Sequence, residues 1–361
     1  MTLAVRQPES DRRVRVMLVD DSAIVRGFMR RWIDEDARVD LVKVCADGQQ
    51  AVAEAATTKP DVIVLDIEMP NMDGLTALPH LRRLAPDARI IMASTLTTQG
   101  AQQTVKALSL GAADFIAKPQ ANAMGGVDTY RRDLIDKIVV LGQRHGTSRP
   151  GVAASRPFGL RPRPAIVAPS SVLVIAASTG GPSALPVFLS GIARRIEAPI
   201  LIVQHMPATF TPVFAEKLES VIGKRCREAV DGDALAPGSV FLAPGDKHMR
   251  IARGPAGRIV TLDRGEPVNF CRPAADPLFE SAAAAFGNRV LGVVLTGMGR
   301  DGRDGAGQVV KAGGRIIAQD ESTSVVWGMP GAVATAGYAE AVKPLKDLGP
   351  LALRMMNGEA A

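Results

Sequence analysis

Two sets of residues in this sequence have the types and the order that chemistry needs. The first is Asp20 and Asp21, then Asp66, then Ser94 or Thr95, then Lys118. Each stands at the end of a short apolar run. Three hard carboxylate ligands at one point suit Mg2+, which takes one or two carboxylates together with waters and phosphate. A lysine and a hydroxyl facing them would neutralise and hydrogen-bond the oxygens of a phosphoryl group. The second set is Ser178, His205 and Asp301, also just past apolar runs. A serine, an imidazole to take its proton and a carboxylate to orient the imidazole make a nucleophilic hydrolase.

Each residue alone has a plainer reading. An aspartate after a strand is commonly a helix cap or a turn residue. Ser178, in VIAASTGGPSALP (174–186), reads equally as a nucleophile, as part of an anion cradle at a helix N-terminus, or as an N-cap. Lone histidines are mostly structural, and His80, His145 and His248 are the others here. His205 closes the strand after the Ser178 strand, which makes it the better base. Asp301 lies in VLTGMGRDGRDGAG (294–307), where spacing leaves Asp304 as a competitor. That segment lacks the alternating ligands and terminal Glu of an EF-hand, and it lacks GxxxxGK[ST]. The GxSxG elbow is absent, and the order Ser–His–Asp is not the Ser–Asp–His of α/β-hydrolases. A triad here stands on a different scaffold.

The elements that must position these groups are legible. Runs at 14–19, 41–45, 61–66, 88–94 and 113–117 alternate with helix-length amphipathic stretches. This is an N-terminal (βα)5 pattern, with a parallel sheet covered on both faces and ligands outside its carboxyl ends. Residues 143–170 carry five prolines, five arginines and no acidic residue, and read as an extended linker or a basic docking strip. A second α/β pattern follows, with strand runs at 171–177, 198–204, 239–243, 289–296 and 314–319 and helical stretches at 182–192, 210–222 and 277–286. Residues 249–263 read as a β-hairpin around Gly-Pro-Ala-Gly. The domains are therefore expected at 12–142 and 171–358.

Bulk properties narrow the class. The chain has 361 residues, 47% hydrophobic and 22% charged, enough for two globular cores. The net charge of +6 is not concentrated on a recognition helix, and no helix-turn-helix follows the linker, so no nucleic-acid partner is expected. Cys45, Cys226 and Cys271 have no CxxC spacing, so neither a disulfide framework nor a zinc site is expected. Without a secretory h-region or a spanning apolar run, a cytoplasmic protein with no membrane insertion is expected.

The first half resembles a two-component receiver domain through VDDS (19–22), LDIEMPNMDG (65–74) and DFIAKP (114–119). The resemblance implies that Asp66 is the phosphoacceptor, that Asp20 and Asp21 help hold Mg2+, and that Lys118 contacts the phosphoryl group. Ser94, or its neighbour Thr95, is then the switch hydroxyl and Phe115 the switch aromatic. The second half resembles the chemotaxis protein-glutamate methylesterases through ASTGGP (177–182), QHMPATFT (204–211), RPAADPLFESAA (272–283), LTGMGRDG (295–302) and AQDESTSVVWGMPGA (318–332). By that resemblance Ser178 is the nucleophile, His205 the general base and acid, Asp301 the orienting carboxylate, Met298 N–H an oxyanion donor, and Thr179 a residue shaping the site. The implied substrate is a glutamate γ-methyl ester on a methyl-accepting chemoreceptor, with glutamine deamidation on the same path. A chemotaxis histidine kinase is the implied phosphodonor, and the esterase site itself needs no metal. Control is expected to come from the unphosphorylated receiver covering the Ser178 cleft. The sequence departs from the family at Ala176, commonly Gly, and at Cys271, often His. A phosphorylation-controlled binding module with a silent hydrolase domain is the other reading of the same residues.

Overall fold

The computed structural model describes residues 12–118, 126–143 and 169–359. The expected linker lies outside the described residues except at its two ends. The chain divides into two compact units, each organised by one parallel sheet.

The first sheet contains β1 (Val14–Val19), β2 (Val39–Cys45), β3 (Val62–Asp66), β4 (Arg89–Ser94) and β5 (Asp114–Ala117), in the order β2-β1-β3-β4-β5. Strands β1, β3 and β4 are runs of Val, Ile, Leu and Met buried on both faces, as crossover helices require. Four of the intervening helices start on a side-chain cap. Ser22, Asp47, Asp73 and Thr97 accept the N–H groups of Val25, Gln50, Thr76 and Gly100 at 3.4, 2.8, 2.7 and 2.9 Å. Each cap satisfies an N–H that the first helical turn leaves orphaned. The helices therefore begin at fixed points just past the strand ends.

The second sheet contains β6 (Val172–Ala177), β7 (Ile200–Gln204), β8 (Arg227–Glu228) and β9 (Val240–Leu242). An antiparallel hairpin of β10 (His248–Gly254) and β11 (Gly257–Asp263) follows, turning at Gly-Pro-Ala-Gly as expected. Then come β12 (Val290–Val294), β13 (Arg315–Gln319) and β14 (Ala341–Lys343). The sheet order is β14-β13-β12-β6-β7-β9-β8, all parallel. The chain leaves β6 toward β7 and later returns to lay β12 on the other side of β6. The strand order thus reverses between β6 and β12, and a crevice opens at the carboxyl ends there. Helix Ala275–Phe286 closes one face, burying Leu278, Phe279 and Ala282 against Val174, Val294, Met249 and Val260. Among the described residues no helix is long and apolar enough to cross a membrane.

Candidate functional site

In the first unit, β1 and β3 are neighbours in register, Val19 opposite Leu65. Asp20 and Asp21 follow the end of β1, and Asp66 is the last residue of β3. Their carboxylate oxygens lie within 4.8 Å of one another, with Asp20 and Asp66 buried and Asp21 exposed. Lys118, just after β5, places Nζ 2.7 Å from Asp20 Oδ2 and 2.7 Å from Asp66 Oδ2. Burial pushes the Asp66 carboxyl up to about 6, against the opposing pull of Lys118. Burial alone would lower the Lys118 ammonium, but Asp66 and Asp20 more than offset it and hold it above its usual range. Crowded carboxylates sharing one lysine are a donor set that fits Mg2+. Gly74 is required beside them, because a Cβ there would stand 2.1 Å from the Asp66 carbonyl oxygen.

Ser94 ends β4, one residue beyond the Asp66–Ala93 register pair, and its carbonyl accepts the Lys118 N–H at 2.7 Å. The Thr95 hydroxyl is 3.2 Å from that of Thr97. Phe115 is buried in β5, with Lys137 Nζ 5.9 Å from its ring centre.

In the second unit, Ser178, His205 and Asp301 follow the carboxyl ends of the three adjacent strands β6, β7 and β12. The turn after β6 is tightly specified. Ser178 N–H donates to Thr296 O at 3.1 Å, and Ser178 O accepts Gly181 N–H at 2.7 Å and Gln204 Nε2 at 2.9 Å. Gly180 takes φ +78°, a left-handed conformation suited to glycine, and starts the helix Gly181–Leu189. Thr179 is buried, its carbonyl accepting the Thr296 hydroxyl at 2.9 Å. Ala176 lies in regular strand, paired with Val294 and Val203, where no glycine is demanded.

His205 Nε2 stands 2.7 Å from Asp301 Oδ2. The same oxygen accepts the Ala275 N–H at 2.6 Å, while Oδ1 accepts Asp276 N–H at 3.1 Å and Gly302 N–H at 2.9 Å. Asp301 therefore sits on the first turn of helix Ala275–Phe286, where exposed N–H groups favour an anion. Burial alone would raise its carboxyl, but His205 and these N–H donors reverse the effect and hold it low. Asp304 instead pairs with Arg303 at 2.8 Å, so of the two expected candidates Asp301 is the one on His205. His248 accepts Ala274 N–H at Nδ1 and donates from Nε2 to Glu266 O, as a structural histidine does.

Gly297 brings backbone against the serine. A Cβ on Gly297 would stand 2.8 Å from Ser178 Cβ and 3.1 Å from its nitrogen. The next N–H, that of Met298, donates to no acceptor among the described residues. An N–H left open beside a serine is what an oxyanion donor requires.

Several site residues were not singled out by the sequence. Gln204 clamps the Ser178 turn. Asp276, pushed up to about 6 by burial, accepts Gly305 N–H and Asn269 Nδ2. Cys271, noted only as a departure from the family, places Sγ 3.3 Å from His205 Nδ1. The available signal was polar residues directly after apolar runs, as in VQH (203–205), together with the cluster NFCRPAAD (269–276).

The fold order and the two sites define a class: a response-regulator receiver followed by a CheB-type effector domain. The family models agree, response regulator receiver domain matching residues 16–124 and CheB methylesterase matching residues 173–351. The chain is 54% identical over 338 residues to protein-glutamate methylesterase/protein-glutamine glutaminase 2 of Caulobacter vibrioides, covering 93% of this chain and 97% of that one. It is 44% identical over 384 residues to the protein-glutamate methylesterase/protein-glutamine glutaminase of Maricaulis maris, covering 95% and 96%. The solved catalytic domain of Thermotoga maritima CheB methylesterase is 37% identical with a TM-score of 0.50, covering 52% of this chain and all of that one. The chain belongs to the protein-glutamate methylesterase/protein-glutamine glutaminase family.

Proposed function

We propose that this chain is a phosphorylation-activated esterase that hydrolyses glutamate γ-methyl esters on methyl-accepting chemoreceptors, releasing methanol, and deamidates receptor glutamines by the same route. The observation that carries the reading is the 2.7 Å pair of His205 Nε2 and Asp301 Oδ2, set at the strand edge beside Ser178. Asp301 keeps the ring proton on Nε2 and leaves Nδ1 as the base. Nδ1 takes the Ser178 proton as the serine oxygen attacks the γ-carbonyl. The Met298 N–H receives the oxyanion, and its open position supports that role. His205 then gives its proton to departing methanol, or to ammonia from glutamine. Water, deprotonated by the same nitrogen, cleaves the acyl-enzyme and frees the glutamate. Thr179 shapes the site by anchoring its carbonyl to Thr296.

Asp66 is the phosphoacceptor. Mg2+ held by Asp20, Asp21 and Asp66 would offset the charge of the phosphoryl oxygens. Lys118 contacts the phosphoryl group, Ser94 at the end of β4 is the switch hydroxyl, and Phe115 is the aromatic that responds to it. A chemotaxis histidine kinase supplies the phosphoryl group, and the protein works in the cytoplasm. The test is methanol release from methylated chemoreceptor with Mg2+ and a small phosphodonor. Release abolished by Ser178→Ala, and raised by phosphodonor in wild type but not in Asp66→Asn, is expected. Undiminished release from Ser178→Ala would overturn the catalytic assignment; none from wild type would favour a binding module.

A further inference from the structure

His205 has two ring nitrogens, and in the resting structure both are occupied. Nε2 is held by Asp301 at 2.7 Å, so a proton from Ser178 can enter only at Nδ1. Nδ1 faces Cys271 Sγ at 3.3 Å, within the reach of a sulfur hydrogen bond. The Ser178 hydroxyl itself makes no hydrogen bond to a described residue. We propose that Cys271 is a positioning residue of the esterase: its sulfur holds Nδ1 of His205 at rest and governs when the ring is free to take the Ser178 proton. The inference rests on the catalytic reading above and deepens it.

The backbone that delivers Cys271 supports this role. Val268 and Cys271 exchange N–H to O bonds of 3.1 and 2.9 Å, closing a two-residue turn. Its central residues, Asn269 and Phe270, both take left-handed φ values, +51° and +63°. Turns of that geometry favour Asn-Gly, and Phe in the second position is strained. Strain of this kind persists where the surroundings over-determine the conformation, often at functional sites. Here the surroundings are the site itself: Asn269 Nδ2 bonds Asp276 Oδ2 at 2.9 Å and reaches Asp301 Oδ1 at 3.4 Å. One turn thus braces both the carboxylate and the imidazole of the catalytic pair.

Burial pushes the His205 ring down, but its contacts with Cys271 and Asp301 push it up, and the net direction is up. The groups around the ring are Cys271 from the turn and Asp301 from the loop after β12. Behind Asp301 lie Asp276 and Asp304 on neighbouring helices, Arg300 reaching Asn269 Oδ1 at 3.4 Å, and His248 on Ala274 N–H. Only Cys271 touches Nδ1 among them. Removing its sulfur leaves Asp301 in place and withdraws the one side chain that holds Nδ1.

The experiment follows the His205 imidazole by NMR titration in the full chain, assigned by comparison with His205→Gln, in wild type, Cys271→Ala and Cys271→Ser. The His205 midpoint is expected to shift from its wild-type position in both cysteine variants. The acid limb of methanol release is expected to move with it, the change appearing in kcat rather than KM. Cys271→Ser keeps the side-chain shape without the sulfur, so it decides the matter if the alanine variant folds poorly. A His205 midpoint identical to wild type in the folded variants would overturn the proposal. The midpoint is read without turnover, so a wild type that releases no methanol defeats the esterase reading while the titration still decides Cys271.

Discussion

Asp301 Oδ2 accepts two hydrogen bonds at once, from His205 at 2.7 Å and from the Ala275 N–H at 2.6 Å, so the carboxylate that orients the imidazole also starts a helix. Its other oxygen accepts the N–H groups of Asp276 and Gly302. An amide in this position must turn an NH2 toward one of these donors.

Asp301→Asn is therefore expected to lose on both counts. Loss of tautomer control lowers kcat by about 10³- to 10⁴-fold. The donor–donor conflict costs about 1–3 kcal/mol of stability. Methanol release and thermal melting of the same preparation check the two numbers. Full activity with an unchanged melt would contradict the account.

Gly297→Ala puts a methyl group against Met329 Sδ and 2.8 Å from Ser178 Cβ. Overpacking of this kind costs about 1–3 kcal/mol. Because part of the strain falls on the serine, kcat should fall further than stability alone explains. Kinetics at a temperature where the variant is fully folded separates the two effects.

The Asp66 carboxyl is raised from 3.8 to about 6, so the folded state binds a proton more tightly than the unfolded one. The contribution of Asp66 to the stability of the first unit is full below about pH 4 and is lost as pH rises through about 6. Asp66→Asn removes a buried charge that repels Asp20 and Asp21. It should raise the melting temperature of this unit at neutral pH, flatten its pH dependence, and abolish the response to phosphodonor. A variant that melts lower at neutral pH would show that the Lys118 bridge outweighs the repulsion.

Phe270 occupies a left-handed position that glycine favours. Phe270→Gly should relieve about 1–2 kcal/mol of backbone strain, part of it returned as entropy of the unfolded chain. An unchanged or slightly higher melting temperature, measured by calorimetry, is expected; a large drop would mean that the ring itself holds the turn.

Much of this is legible in the sequence because parallel strands buried on both faces leave unbroken apolar runs, and those expected at 14–19 and 171–177 fall on Val14–Val19 and Val172–Ala177. The residues proposed to do chemistry end or follow those runs, so Asp66, Ser178 and His205 are found by position. Strands β8 and β14, two and three residues long, are too short to show a period. The bracing of Asp301 was hidden for another reason. Asn269 and Ala275 reach it, and Cys271 reaches His205, only after the chain has passed the hairpin and returned, and no local pattern encodes a contact made across the fold.

The most direct test of the central claim is peptide mass spectrometry after treatment with a serine-directed phosphonylating reagent, with and without phosphodonor. The account predicts a single adduct on Ser178, formed faster with phosphodonor when Asp66 is present and lost in His205→Gln. No adduct on Ser178, or a dominant adduct on Cys271, would contradict it.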